Sequence, residues 1–217
     1  PGCYGPELAC DEPRRGHPVP VATTARGGSP RDETMREGDA SIRVVRFPTS
    51  HFKGDYLFPP WLPMKGLRKW LAAEPADIIH AHSYRFATLE EAAHARRKRG
   101  IPLVVSALGF YPPENALVAL SRRIYDGGRG KRALRAADRC VALTRDEIRH
   151  HVALGVAMEK IDVIPPGLQP RALEPGDRER FRKEYDLEGI VVMFLARLAH
   201  DKGLADLVNA MPSVLAA

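Results

Sequence analysis

Two cations and a helix start converge in the stretch FLARLAHDKGLADLVNAM, residues 194–211. Arg197 follows an apolar run at 190–196. Lys202 and Gly203 stand just before a helix whose Leu204, Leu207, Val208 and Met211 recur at helical spacing as its buried stripe. The first turn of a helix offers unsatisfied N–H groups and partial positive charge. A guanidinium grips two oxygens and an ammonium acts as a point charge, so the three together suit a diphosphate. In a chain with Lys+Arg 33, two solvated surface cations fit the same spacing.

His80 and His82 stand two apart on a strand and project to one face. They read as a metal pair, or as one buried, hydrogen-bonded histidine and one at the strand mouth, where His82 and Ser83 would line a cleft. The spacing supplies no third ligand, so no metal is expected. His150 and His151 are adjacent on a helix, diverge, and read as surface residues. The arginine- and lysine-rich stretch 121–139 suits an anionic lipid surface, a nucleic acid or a solvated helix face. Its one aromatic, Tyr125, supports base stacking poorly, so nucleic acid is not an expected partner. Cys3, Cys10 and Cys140 are odd in number and lack metal-type spacing; they read as reduced thiols of a cytoplasmic protein.

Regular elements must hold these residues. At 217 residues the chain is long for one domain and short for two, with 44% apolar and 28% charged residues. The net charge of +6 fits phosphate-bearing ligands, membranes or nucleic acid and selects none. The longest apolar run, at 190–196, has strand length and falls short of the roughly 18 residues of a spanning helix. Expected strands lie at 18–24, 41–47, 77–82, 101–109, 139–144, 160–167 and 190–196, with 25–40 loop-like. Helices are expected at 8–15, around Leu67, Trp70 and Leu71, and from 87 to 100. Three more follow: through 114–138 with a break at Gly127–Gly128, after Thr144 as N-cap, and over 178–187. Near-continuous apolar strands alternating with helices predict an α/β, doubly wound parallel sheet. The Pro/Gly-rich stretch 165–177 reads as a linker, which puts a domain boundary near residue 170.

Six segments, in order, carry a likeness: GPELACDEPRRGHPVPVATT, SIRVVRFP, DIIHAHS, ADRCVALTRDEI, LGVAMEKIDVIPPG and ARLAHDKGLADLVNAM. Together they span nearly all of residues 4–211, and the chain resembles the family 4 retaining glycosyltransferases of GT-B fold. The resemblance implies a Rossmann-like acceptor-side domain over 1–170 that lacks its first strand. It also implies the start of a nucleotide-sugar-binding domain over 171–217. The activity implied is retaining transfer of a hexose from a UDP- or GDP-sugar to a lipid-linked or polysaccharide acceptor. Arg197 and Lys202 would hold the donor diphosphate and take up the leaving group's charge, with no metal or other cofactor. Gly5, His82, Ser83 and Gly109 would line the acceptor side of the cleft, and no residue is assigned as catalytic. The implied location is cytoplasmic, peripheral at the inner face of the membrane.

Departures from the family pattern carry consequences. Tyr4-Gly5 replaces a pair of glycines, Leu108-Gly109 replaces a histidine and a small residue, and Pro166 replaces an asparagine before Gly167. The paired-glutamate motif that engages the donor sugar would lie beyond Ala217. The expectation is a fragment that does not catalyse transfer alone. The alternative is a non-catalytic relic or binding module that retains the acceptor-side domain.

Overall fold

The computed structural model describes residues 12–25, 31–37, 40–48, 64–108, 110, 113, 115–167, 173–196, 198 and 202–216. The chain divides into two compact units, residues 1–167 and 168–217. In the first, a helical turn at 12–14 (α1) precedes β1 (Val21–Ala25), β2 (Asp32–Glu37), β3 (Ala40–Pro48) and α2 (Leu67–Ala73). There follow β4 (Ile79–His82), α3 (Ala87–Arg99), β5 (Leu103–Ser106), α4 (Ala116–Gly127) and α5 (Arg129–Arg135). β6 (Arg139–Ala142), α6 (Ile148–Ala153) and β7 (Ile161–Val163) complete the unit.

β3 is the centre of a three-stranded sheet in the order β1-β3-β2, parallel to β1 and antiparallel to β2. Its alternation fills both faces: Ile42 and Val44 pack with Val21, and Val45 and Phe47 pack with Met64 and Leu67. Phe47 meets Trp70 of α2 at 5.8 Å between ring centroids. Arg43 reaches from β3 to Asp32 and to Glu74 at the end of α2, tying strand to helix. β2 lies within 25–40, which the sequence reads as loop. DETMRE carries no apolar alternation, and the strand forms because β3 offers it an edge to pair with along 32–37.

The second sheet is parallel, in the order β4-β5-β6-β7. Parallel strands in sequential order need a crossover after each, and α3, α4 with α5, and α6 supply them. One face carries Ala81, Leu103, Val105 and Cys140 into a core with Leu89, Ala92 and Ala93 of α3 and with Ala133 and Leu134 of α5. The alanines of α3 let its backbone lie close to the sheet. Arg96 of α3 donates two hydrogen bonds to Asp138, at 3.1 and 2.6 Å, and Asp138 also accepts from the N–H of Leu103 at 2.9 Å. The Arg96 guanidinium holds the Asp138 carboxyl below the usual carboxylate range. The expected helix over 114–138 breaks at Gly128, and Asn115 caps α4 by accepting from Val118 N–H at 2.9 Å. Thr144 stands before the turn that leads into α6 but makes no side-chain cap; Glu147 accepts from the N–H of Leu143 instead.

The second unit contains α7 (Arg178–Glu184), capped by Asp177, and α8 (Leu204–Leu215). The strand expected at 190–196 does not form among its described residues. A strand exists only by pairing, and among the described residues this segment has no partner; Ile190 and Leu195 are 98% and 90% exposed. The expected buried stripe of α8 is only half-covered at Leu204, Leu207 and Met211, and Val208 is exposed.

Candidate functional site

The C-terminal ends of parallel strands are where an α/β sheet places its ligands, and β4 and β5 end together. Period-two alternation turns Ile79 and Ala81 toward α3 and leaves His80 and His82 on the opposite face. The two rings lie 4.1 Å apart at 36°. His80 Nε2 shares a hydrogen bond of 2.8 Å with Oγ of fully buried Ser106. His80 is exposed as a residue and His82 half-buried. Desolvation, with His82 second, pushes the pKa of His80 down to about 4, and desolvation also lowers that of His82. Both rings are therefore neutral at pH 7. The sequence reading of one buried histidine needs correction, since neither residue is buried. Among the described residues no cluster of three metal-ligating side chains forms.

Beyond His82 the chain turns sharply. Ser83 and Arg85 have φ of 72° and 66°, a left-handed conformation that costs about 1–3 kcal/mol in a non-glycine residue and collects at functional sites. The carbonyl of Ser106 accepts from the N–H of Ser83 at 2.9 Å and from that of Leu108 at 2.8 Å, so one oxygen fixes both strand mouths. Arg85 donates to both oxygens of Asp126, at 3.0 and 2.6 Å, and lies 5.1 Å over the Tyr84 ring. Tyr84 and Tyr125 meet edge-on at 5.9 Å. Burial pushes both phenols up, helped by Asp126 at Tyr84 and by Glu90 at Tyr125. Behind them Gly130 leaves no room for a side chain: a Cβ there would lie 2.2 Å from Cε1 of Tyr125.

Of the expected cleft residues, His82 and Ser83 stand at this mouth with Leu108 beside them, and Gly5 and Gly109 lie outside the described residues, as does Tyr4. The diphosphate pair divides the same way. Lys202 is half-buried, one residue before Gly203, the N-cap of α8, whose φ of 76° suits a glycine. Arg197 lies outside the described residues. The sequence reading missed Ser106, Arg85 and Asp126. Ser106 carried a signal, a small polar residue closing an apolar strand; Arg85 and Asp126 are 41 positions apart and carried none.

One further expectation is corrected. His151 is fully buried, with Nδ1 2.8 Å from the carbonyl of Glu147 and Phe110 edge-on at 5.1 Å. Phe110 also stacks on His150 at 5.0 Å, so the pair packs against an aromatic and does not simply face solvent. Cys140, also fully buried, has its thiol pushed up to about 12 by desolvation and is inert as a nucleophile.

Comparison with known proteins agrees with this architecture. The D-inositol 3-phosphate glycosyltransferase of Acidothermus cellulolyticus is 32% identical over 94% of this chain and 49% of its own length. The 2-deoxystreptamine glucosyltransferase of Streptomyces kanamyceticus is 29% identical over 88% of this chain and 54% of its own. The chain thus spans about half the length of the curated relatives it matches. The crystal structure of Anabaena HepE, solved with UDP and glucose, superposes with a TM-score of 0.64 at 19% identity, covering 98% of this chain and 55% of that one. Residues 6–167 match the family described as Glycosyl transferase 4-like domain. Because that match takes in both sheets and the β4 mouth, the chain belongs to the family 4 glycosyltransferases and has their GT-B-like α/β fold.

Proposed function

We propose that the chain is the acceptor-side domain and the beginning of the donor-side domain of a retaining hexosyltransferase. The donor is a UDP- or GDP-sugar, and the acceptor a lipid-linked or polysaccharide chain at the inner face of a membrane. The observation that carries this is the family match over residues 6–167, within which strained Ser83 and Arg85 stand at the β4 mouth. Uncharged His82 and Ser83, with Gly5 and Gly109, line the acceptor side. Arg197 and Lys202 neutralise the donor diphosphate as the glycosidic bond breaks, which requires no metal.

The test uses the polypeptide extended through a second domain of the length its relatives have. UDP and GDP binding is measured by calorimetry, and hexose transfer with labelled donors. Arg197→Ala with Lys202→Ala is expected to weaken nucleotide binding about 100-fold, the loss of two charge-assisted contacts. Unchanged binding in the double variant would remove the diphosphate assignment. A second acceptor reading is favoured by the relatives' names, since D-inositol 3-phosphate and 2-deoxystreptamine are small ring compounds. Transfer to such a compound, with none to lipid-linked acceptors, would select it.

A further inference from the structure

We propose that α4 and α5 dock the chain on an anionic lipid surface. Leu117, Leu120 and Ile124 enter the interfacial region, and Arg123, Arg132 and Arg135 meet lipid phosphates. The three aliphatic residues fall on one face of α4 and are 72%, 56% and 69% exposed. The opposite face buries Tyr125 and holds Asp126 against Arg85. At the rise of an α-helix the aliphatic stripe runs about 10 Å, which distinguishes it from the single exposed leucines of any surface.

The charges adjoin the stripe. Arg123 is exposed on α4 itself. Two shallow clefts share Gly127 and Lys131; one takes in Arg123, the other Arg132 and Arg135. Gly127 and Lys131 thereby link Arg123 of α4 to Arg132 and Arg135 of α5 just past the C-terminal end of the stripe. The acids of this region are already engaged, Asp126 by Arg85 and Glu90 by Arg129. Among the described residues no ion pair involves Arg123, Arg132 or Arg135.

An apolar wedge with a cationic border is what a headgroup layer satisfies, acyl chains taking the wedge and phosphates the border. Nucleic acid would leave the wedge in water, and the local aromatic available to stack on a base, Tyr125, is only 4% exposed. A second copy in a two-fold contact would set this border against itself. The inference extends the acceptor reading above, resting on it only for the choice of membrane face, and vesicle binding without donor tests it apart from transfer.

The experiment is flotation of the chain with vesicles of phosphatidylcholine, with and without phosphatidylglycerol. Binding is expected only with the anionic lipid. Arg123→Glu, Arg132→Glu and Arg135→Glu together should weaken it about 100-fold or more, and Leu117→Ser, Leu120→Ser and Ile124→Ser at least about tenfold. These side chains are exposed, so circular dichroism should be unchanged. In Leu120→Trp, the emission should shift to the blue on anionic vesicles alone. Equal binding to neutral vesicles, or binding that neither set of changes affects, would overturn the proposal. So would self-association abolished by the serine changes, or retention on nucleic acid without retention on vesicles.

Discussion

His80 shows how a residue's chemistry is decided by what surrounds it. Its pKa falls from an ordinary 6.5 to about 4 because the folded chain desolvates the ring and sets His82 beside it. Above about pH 6.5 both states are neutral and the group adds no pH dependence. Between there and about pH 4 the unfolded chain binds a proton that the folded chain refuses, so stability falls as pH falls through that window. Asp138 behaves differently: its folded pKa is depressed, so its contribution is full above 3.8 and is lost only at more acid pH. The urea midpoint is therefore expected to drop between about pH 7 and pH 4.5, and His80→Gln to flatten the drop. A variant with the parent's pH profile would place the titrating group elsewhere. Leu108, at the β5 mouth, neither donates nor accepts a hydrogen bond through its side chain, at a position where the family resemblance implies a histidine. In the two-domain protein Leu108→His is expected to raise turnover about tenfold, the worth of one hydrogen bond to a charged group. No change would show that this position does not limit transfer.

At the scale of elements, α4 and α5 join closely against the tyrosines near the β4 mouth. Gly130 opens α5 against the Tyr84–Tyr125 pair, with a Cβ position 2.7 Å from the Tyr84 hydroxyl as well as 2.2 Å from Cε1 of Tyr125. Alanine would gain about 1 kcal/mol in helix propensity. It would also force two buried rings to move, and overpacking of a closed core costs about 1–3 kcal/mol. The overlap wins because Tyr84 and Tyr125 are 3% and 4% exposed and have nowhere to turn. Gly130→Ala is expected to lower the thermal midpoint, and a midpoint at or above the parent's would mean that the rings can swing aside. Most elements here were legible in advance. β1, β3 to β7 and α2 to α8 fall within or near the stretches that periodicity selects. The failures share one cause: β2 and the run 190–196 are decided by whether a neighbouring strand offers its edge. Composition pointed the wrong way in both cases.

At the scale of the whole molecule, the buried core belongs to the first unit. All three hydrophobic clusters lie within residues 1–167, and no described residue of 168–217 is buried. Residues 1–167 expressed alone are therefore expected to unfold in one cooperative transition. Residues 168–217 alone should melt without one, since about 50 residues whose described part forms no sheet bury too little apolar surface. Calorimetry of the two pieces checks this; a cooperative transition in 168–217 would contradict it. Among the described residues no helix is long and apolar enough to cross a membrane. Any membrane contact of these residues through a helix is thus of the surface kind argued for α4 and α5.

By itself the sequence determined the fold class, most of the succession of strands and helices, and the family. Those follow from local periodicity and from segment order, which the chain carries whatever its surroundings. It also marked His82 and Ser83, because a strand's end is readable from its own residues. Tertiary structure alone decided that Ser106 holds both strand mouths, that Arg85 is engaged by Asp126, and that His151 is buried. It also decided that the Leu117–Ile124 stripe faces outward. Burial and pairing are properties of neighbours distant in the chain, and nothing in a residue's own stretch of sequence records which of them will arrive.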